Sequence, residues 1–161
     1  MNTCYLLLGG NIGDSALKLK QAIALIEQKI GATLKKSSVF KTAAWGNKDQ
    51  ADFYNQAIIL ETLNAPTELL ANILKIEELL GRTRTNDRWQ ERTIDIDILF
   101  YNKEIIDLPD LKIPHPYIQE RKFVLVPMNE IAGNFVHPIL KKTIEELLNE
   151  CVDSCEVQIE K

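Results

Sequence analysis

Asp95 and Asp97 stand two residues apart in "TIDIDIL", with isoleucines between and around them. In an extended chain side chains alternate, so Ile94, Ile96 and Ile98 face one way and both aspartates the other. Their Cα atoms would lie ~6–7 Å apart, close enough for two carboxylates to converge on one or two hard cations. Arg82, Arg84, Arg88 and Arg92 sit immediately upstream, and Arg121 follows later. A guanidinium fork matches phosphate oxygens. Carboxylates for Mg²⁺ beside a loop of arginines is what a nucleoside triphosphate needs. Two plainer accounts stay open at this level. The acids could be the wet side of a half-exposed strand, and Asp87 and Glu91 could balance Arg88 and Arg92 in a solvated loop.

No familiar triphosphate motif accompanies this set. There is no G-x-x-x-x-G-K-S/T, and "GGNIG" has the wrong spacing for G-x-G-x-x-G. The kinase signatures H-R-D and D-F-G are missing as well. Both histidines precede proline. His115, in "PHP", is the better candidate to donate to a phosphate from a fixed turn; His137 reads as structural. Neither belongs to a set with zinc spacing. Trp45 and Trp89 fall in polar stretches, where a flat heteroaromatic ligand would give them something to stack on. Phe53 and Phe123 read by default as core. Asn55 shares a strand face with Phe53 and offers both a donor and an acceptor, as the edge of a pterin or purine requires.

The elements that must position these residues are legible in the pattern. "TCYLLLGG" reads as a buried strand ending in a glycine turn. Asp14 or Ser15 can cap a helix whose apolar face is Leu19, Ile23, Ile26 and Ile30, with Gly31 at its end. "TLKKSSVFKT" and "FYNQAIILET" follow as strands, separated by the loop "AAWGNKDQAD". Pro66 opens a second helix carrying Leu69, Ile73, Ile76 and Leu80, which Gly81 stops. "RTRTNDRWQE" is too charged to pack and reads as a mobile loop before the strand "TIDIDILFYN". "KEIIDLPDLKIPHPYI" is an extended excursion, and "RKFVLVPMNEIAG" and "TIEELLNE" form a small C-terminal part. The order β-α-β-β-α-β predicts a ferredoxin-like α+β fold. It has an antiparallel sheet, helices on one face, and the other face free to carry a site with mobile loops.

Composition sets the outer limits. The chain has 161 residues, 45% hydrophobic and 26% charged, which suits one domain over residues 1–161. A net charge of −4 and a pI of about 5.3 weigh against nucleic acid as a partner. Cys4, Cys151 and Cys155 follow no metal or redox spacing and read as reduced packing residues. "MNTCYLLLGG" lacks a basic n-region, and no apolar run is long enough to span a membrane. A cytoplasmic monomer that works on small molecules is the expectation.

Taken in order, "LLLGGNIGD", "FYNQAIILET", "IEELLGRTRTNDRWQERTIDIDIL", "IPHP" and "RKFVLVPMNEIA" resemble the 6-hydroxymethyl-7,8-dihydropterin pyrophosphokinases of folate biosynthesis. The resemblance runs from about Tyr5 to about Ala132 and is most specific between Glu77 and Asp97. It implies the same ferredoxin-like fold and transfer of pyrophosphate from ATP to the hydroxymethyl oxygen of a reduced pterin, with AMP leaving. It implies two Mg²⁺ ions on Asp95 and Asp97, and Arg82 and Arg92 as loop arginines assisting transfer. Glu77, Arg84, Arg88, Ile98, His115 and Arg121 would surround ATP, together with Arg82 and Arg92. Thr42, Ala43, Trp45, Phe53, Asn55, Trp89 and Phe123 would form the pterin pocket. The chain departs from the family's usual residues at Gly10, Ala43, Trp45 and Gln90-Glu91. A non-catalytic ferredoxin-like module for a nucleotide or RNA is the alternative reading.

Overall fold

A run of apolar residues closed by two glycines becomes an interior strand of the sheet, β1 (Asn2–Gly10). The computed structural model describes residues 1–11, 14–42, 52–81 and 94–160. β1 has antiparallel neighbours on both sides, β4 (Phe53–Thr62) and β5 (Asp95–Tyr101). Beyond β4 lie β2 (Gly31–Lys36) and β3 (Phe40–Thr42), and β8 (Val157–Ile159) pairs with the outer side of β3. The order β5-β1-β4-β2, with a helix after β1 and another after β4, is the predicted ferredoxin-like arrangement.

The two predicted helices form as their spacing demands. α1 (Ser15–Lys29) is capped by Asp14, whose carboxylate accepts the Leu17 N–H at 3.1 Å. α2 (Pro66–Leu79) begins at its proline, and Glu68 reaches back to accept the Ala65 N–H at 3.2 Å. It ends where Gly81 takes a positive φ of 90°, which a residue without Cβ adopts at little cost. Leu19, Ile23, Ile26, Leu69, Ile73 and Ile76 are buried against Leu6, Leu8, Ile58, Leu60, Ile96 and Ile98. Each such side chain contributes ~1.5–3 kcal/mol of transfer free energy.

The other sheet face is partly covered, an addition to the sequence reading. α3 (Lys122–Ala132) and α4 (Ile144–Glu150) pack Val124, Leu125, Met128, Ile144 and Leu147 on Leu7, Ala57, Leu99 and Phe100. The stretch read as one strand, "TLKKSSVFKT", is two. Ser37 interrupts it, accepting the Ala57 N–H on its hydroxyl at 2.9 Å and giving its own N–H to the Ala57 carbonyl at 2.8 Å. Gly31, read as the stop of the first helix, opens β2. The three-proline excursion contains a hairpin, β6 (Ile106–Leu108) with β7 (Leu111–Ile113). A single turn of 3₁₀ helix over Ile118–Glu120 leads into α3.

Cys4 and Cys151 are free thiols, and burial pushes the Cys4 thiol up to about 12, with the Glu104 charge adding to it. His137, expected to be structural, is buried, with Nδ1 accepting the Ile139 and Leu140 N–H groups, each at 3.1 Å. Among the described residues no helix is long and apolar enough to cross a membrane.

Candidate active site

Alternation on three adjacent strands builds the site. Gly9 of β1 is opposed by Asn55 of β4 on one side and by Asp95 of β5 on the other. One step along, Leu7 is opposed by Ala57 and Asp97. Directly opposed residues share a sheet face, so Asn55, Asp95 and Asp97 point away from α1 and α2. Ile94, Ile96 and Ile98 point into the helix-covered core, as the pattern required. Asp95 and Asp97 are both half-buried.

Gly9 is the residue that lets this row form. A Cβ there would lie 2.3 Å from Asn55 Oδ1 and 3.5 Å from the Tyr54 carbonyl. The Asn55 side chain therefore lies over the glycine, nearly buried at 6% exposure. The pattern predicts a turn at "GG"; both glycines are in the strand. A glycine inside a strand marks close approach, and that signal was available.

β3 extends the row outward. Thr42 is opposed by Phe53, and Phe40 by Asn55. Thr42 is buried, and its hydroxyl has no hydrogen-bond partner among the described residues. Buried hydroxyls are normally satisfied, so an orphan at the rim of a candidate pocket fits a ligand polar atom.

Glu77 reaches the site from the helix side of β5. It is 3% exposed on α2, and its carboxylate accepts the Ile96 N–H at 2.8 Å. The acceptor thus grips β5 between the two aspartates. Ile98 likewise has its side chain in the core, so only its main chain could meet a nucleotide.

His115, Arg121 and Phe123 gather beside β5. The His115 N–H donates to the Leu99 carbonyl at 3.1 Å. Its Nδ1 accepts the Tyr117 N–H at 3.4 Å, which makes Nε2–H the donor of a neutral ring, with no partner among the described residues. Burial, and then the Arg121 charge, hold its pKa below the ordinary histidine value. The Arg121 guanidinium lies over two rings, 5.0 Å from the Tyr117 centroid and 5.8 Å from that of Phe123. Neither contact was foreseen from sequence. Arg82, Arg84, Arg88, Trp89, Gln90, Glu91 and Arg92 lie outside the described residues, as do Ala43 and Trp45.

The donor set suits Mg²⁺. Asp95 and Asp97 supply hard oxygens from one strand face, and among the described residues no cluster of three or more His, Cys, Asp or Glu could cage a metal. Two carboxylates on one strand face match an ion that takes the rest of its shell from water and phosphate.

Comparisons with known proteins converge. The family described as 7,8-dihydro-6-hydroxymethylpterin-pyrophosphokinase (HPPK) matches residues 5–133. A 2-amino-4-hydroxy-6-hydroxymethyldihydropteridine pyrophosphokinase of Aquifex aeolicus is 39% identical over 150 residues, 93% of this chain and 92% of that one. The Bacillus subtilis protein of the same name is 47% identical over 132 residues, 81% and 78% of the two chains. The crystal structure of wild-type Plasmodium falciparum HPPK-DHPS superposes with a TM-score of 0.75 at 20% identity, over 92% of this chain and 43% of that one. That likeness is one of fold.

Proposed function

This chain belongs to the 7,8-dihydro-6-hydroxymethylpterin-pyrophosphokinase family, and from that premise we propose how its residues divide the work. The reaction is the family's. Pyrophosphate passes from ATP to the hydroxymethyl group of 6-hydroxymethyl-7,8-dihydropterin, AMP is released, and the product serves folate biosynthesis. The hydroxymethyl oxygen gives up its proton to solvent and bonds to the β-phosphorus. The bond from that phosphorus to the bridging oxygen breaks, and AMP carries the oxygen away.

The row Asn55–Gly9–Asp95 carries the assignment of residues. Two strand spacings separate its ends, ~10 Å, a span that a two-ring heterocycle can bridge. Asn55 then pairs with the pterin edge. Thr42, Phe53 and Phe123 bound the ring, with Ala43, Trp45 and Trp89 completing the pocket from the adjoining loops. The ring's one-carbon arm is left pointing toward the aspartates.

Asp95 and Asp97 would hold two Mg²⁺ ions. Bound there, the metal neutralises phosphate charge and orients the triphosphate. His115 offers Nε2–H to a phosphate oxygen from a turn anchored on β5, and Arg121 brings a fixed positive charge beside it. Glu77 serves the nucleotide through β5, by fixing the strand whose main chain at Ile98 would face it. Arg82, Arg84, Arg88 and Arg92 supply the remaining cations. Of these, Arg82 and Arg92 act on the transferring group. Residues 1–161 form one domain, a cytoplasmic monomer acting on small molecules only.

Incubation with ATP, Mg²⁺ and 6-hydroxymethyl-7,8-dihydropterin tests it: AMP is the expected nucleotide product. ADP, or turnover that ignores the pterin, would overturn the reading. Asp97→Ala should abolish AMP formation.

A further inference from the structure

α3 starts without a cap of its own. Arg121 stands at the N-cap position with no acceptor to offer, and the first turn holds no acidic residue. The leading N–H groups of a helix must find partners elsewhere. One partner comes from thirty-one residues down the chain, where Asp153 Oδ2 accepts the Lys122 N–H at 3.0 Å. The other oxygen of the same carboxylate accepts the Cys155 N–H at 3.0 Å, which fixes its orientation.

The bond falls on a consequential peptide. The Lys122 nitrogen belongs to the peptide group that joins Arg121 to Lys122. The carbonyl of that group accepts from the Val124 and Leu125 N–H groups, each at 3.1 Å. The plane is thus gripped on both edges, by the helix on one and by Asp153 on the other. Arg121 stands immediately before it, and Phe123 one residue beyond Lys122.

Asp153 is itself held on a tethered segment. Before it, the Cys151 N–H closes the end of α4 on the Leu148 carbonyl at 3.2 Å. After it, β8 pairs with β3 and sets Val157 opposite Thr42. The Glu160 N–H then donates to the Val39 carbonyl at 2.7 Å. This tail lies beyond residues 5–133, the part that the family matches.

We propose that Asp153 is a positioning residue, which holds Arg121 and Phe123 in the attitude that receives ATP and the pterin. The proposal rests on the assignment of Arg121 to ATP and Phe123 to the pterin. Losing a charged acceptor at a helix start should weaken both substrates about tenfold.

The test is steady-state kinetics on the full chain, well below the melting temperature. Asp153→Ala should raise KM for ATP and for the pterin about tenfold, with a smaller change in kcat. Asp153→Asn keeps one acceptor oxygen, so it should fall between Asp153→Ala and the parent; it decides the matter if the alanine variant does not fold. Arg121→Ala and Phe123→Ala are run beside them. If these two shift the KM values of ATP and pterin while both Asp153 variants bind like the parent, the positioning proposal falls alone. If Arg121→Ala and Phe123→Ala shift neither KM, the site assignment falls and takes the proposal with it. A lower melting temperature in Asp153→Ala with unchanged KM values would also overturn it.

Discussion

The Asn55 carboxamide lies directly over Gly9, so near that a Cβ on the glycine would come 2.3 Å from Asn55 Oδ1. Two residues 46 positions apart are thereby fitted to one another across β1 and β4. Gly9→Ala must push the amide aside or part the strands, and overpacking of this kind costs ~1–3 kcal/mol. The expected outcome is a chain that still folds and binds ATP but loses pterin affinity more than tenfold. Calorimetric titration with each substrate measures this. Unchanged pterin binding would remove Asn55 from the pocket.

Glu77 provides a separate check on how β5 is held. Its carboxylate accepts the Ile96 N–H at 2.8 Å in a buried setting. Glu77→Ala leaves that N–H without this acceptor, at a cost of ~1–3 kcal/mol. Glu77→Gln retains an acceptor oxygen and should lose less. Urea unfolding ranks the three proteins, and AMP formation should follow the same order because the grip lies between Asp95 and Asp97. Equal stability of the alanine and glutamine variants would argue against the hydrogen bond as the cause.

Sequence periodicity was enough to find β1, β4, β5, α1 and α2, because each has a long apolar face of one clear period. The aspartates were legible for the same reason: Asp95 and Asp97 break an otherwise apolar strand on one face only. What periodicity missed is short or non-local. β8 has three residues, two of them exposed, and exists because β3 lies beside it. Ser37 divides β2 from β3 through bonds to Ala57, twenty residues away. α3 carries Pro127 inside it, which lacks the N–H that a helical interior uses. Asp153 had no signal at all, since its role depends on a helix start far back in the chain.

The two histidines give the pH dependence a definite sign. Burial lowers the pKa of both, and the Arg121 charge lowers that of His115 further. The unfolded chain, titrating near ~6.5, then binds protons more readily than the folded one. Stability from these groups is fully present above that value and is lost as pH falls through it toward the folded values. A proton on His137 Nδ1 would also break the Ile139 and Leu140 N–H bonds. His137→Asn can still accept such bonds without titrating. Urea midpoints measured from about pH 5 to pH 8 should therefore fall less steeply on the acid side in this variant. Parallel profiles would assign the acid loss to other groups.

Arg92 and Asp97 should fail in different ways. A group that meets charge only as it develops changes kcat and kcat/KM together, whereas one that binds the ground state changes KM. Arg92→Ala is expected to slow pyrophosphoryl transfer by about 10²- to 10³-fold while ATP binding weakens far less. Asp97→Ala, which removes half of the carboxylate pair, should lose turnover and Mg²⁺-dependent ATP binding together. Single-turnover quench kinetics measure the transfer step, and titration with a non-hydrolysable ATP analogue at several Mg²⁺ concentrations measures binding. If Arg92→Ala weakens analogue binding as much as it slows transfer, the arginine holds the bound nucleotide and has no special part in the transfer itself.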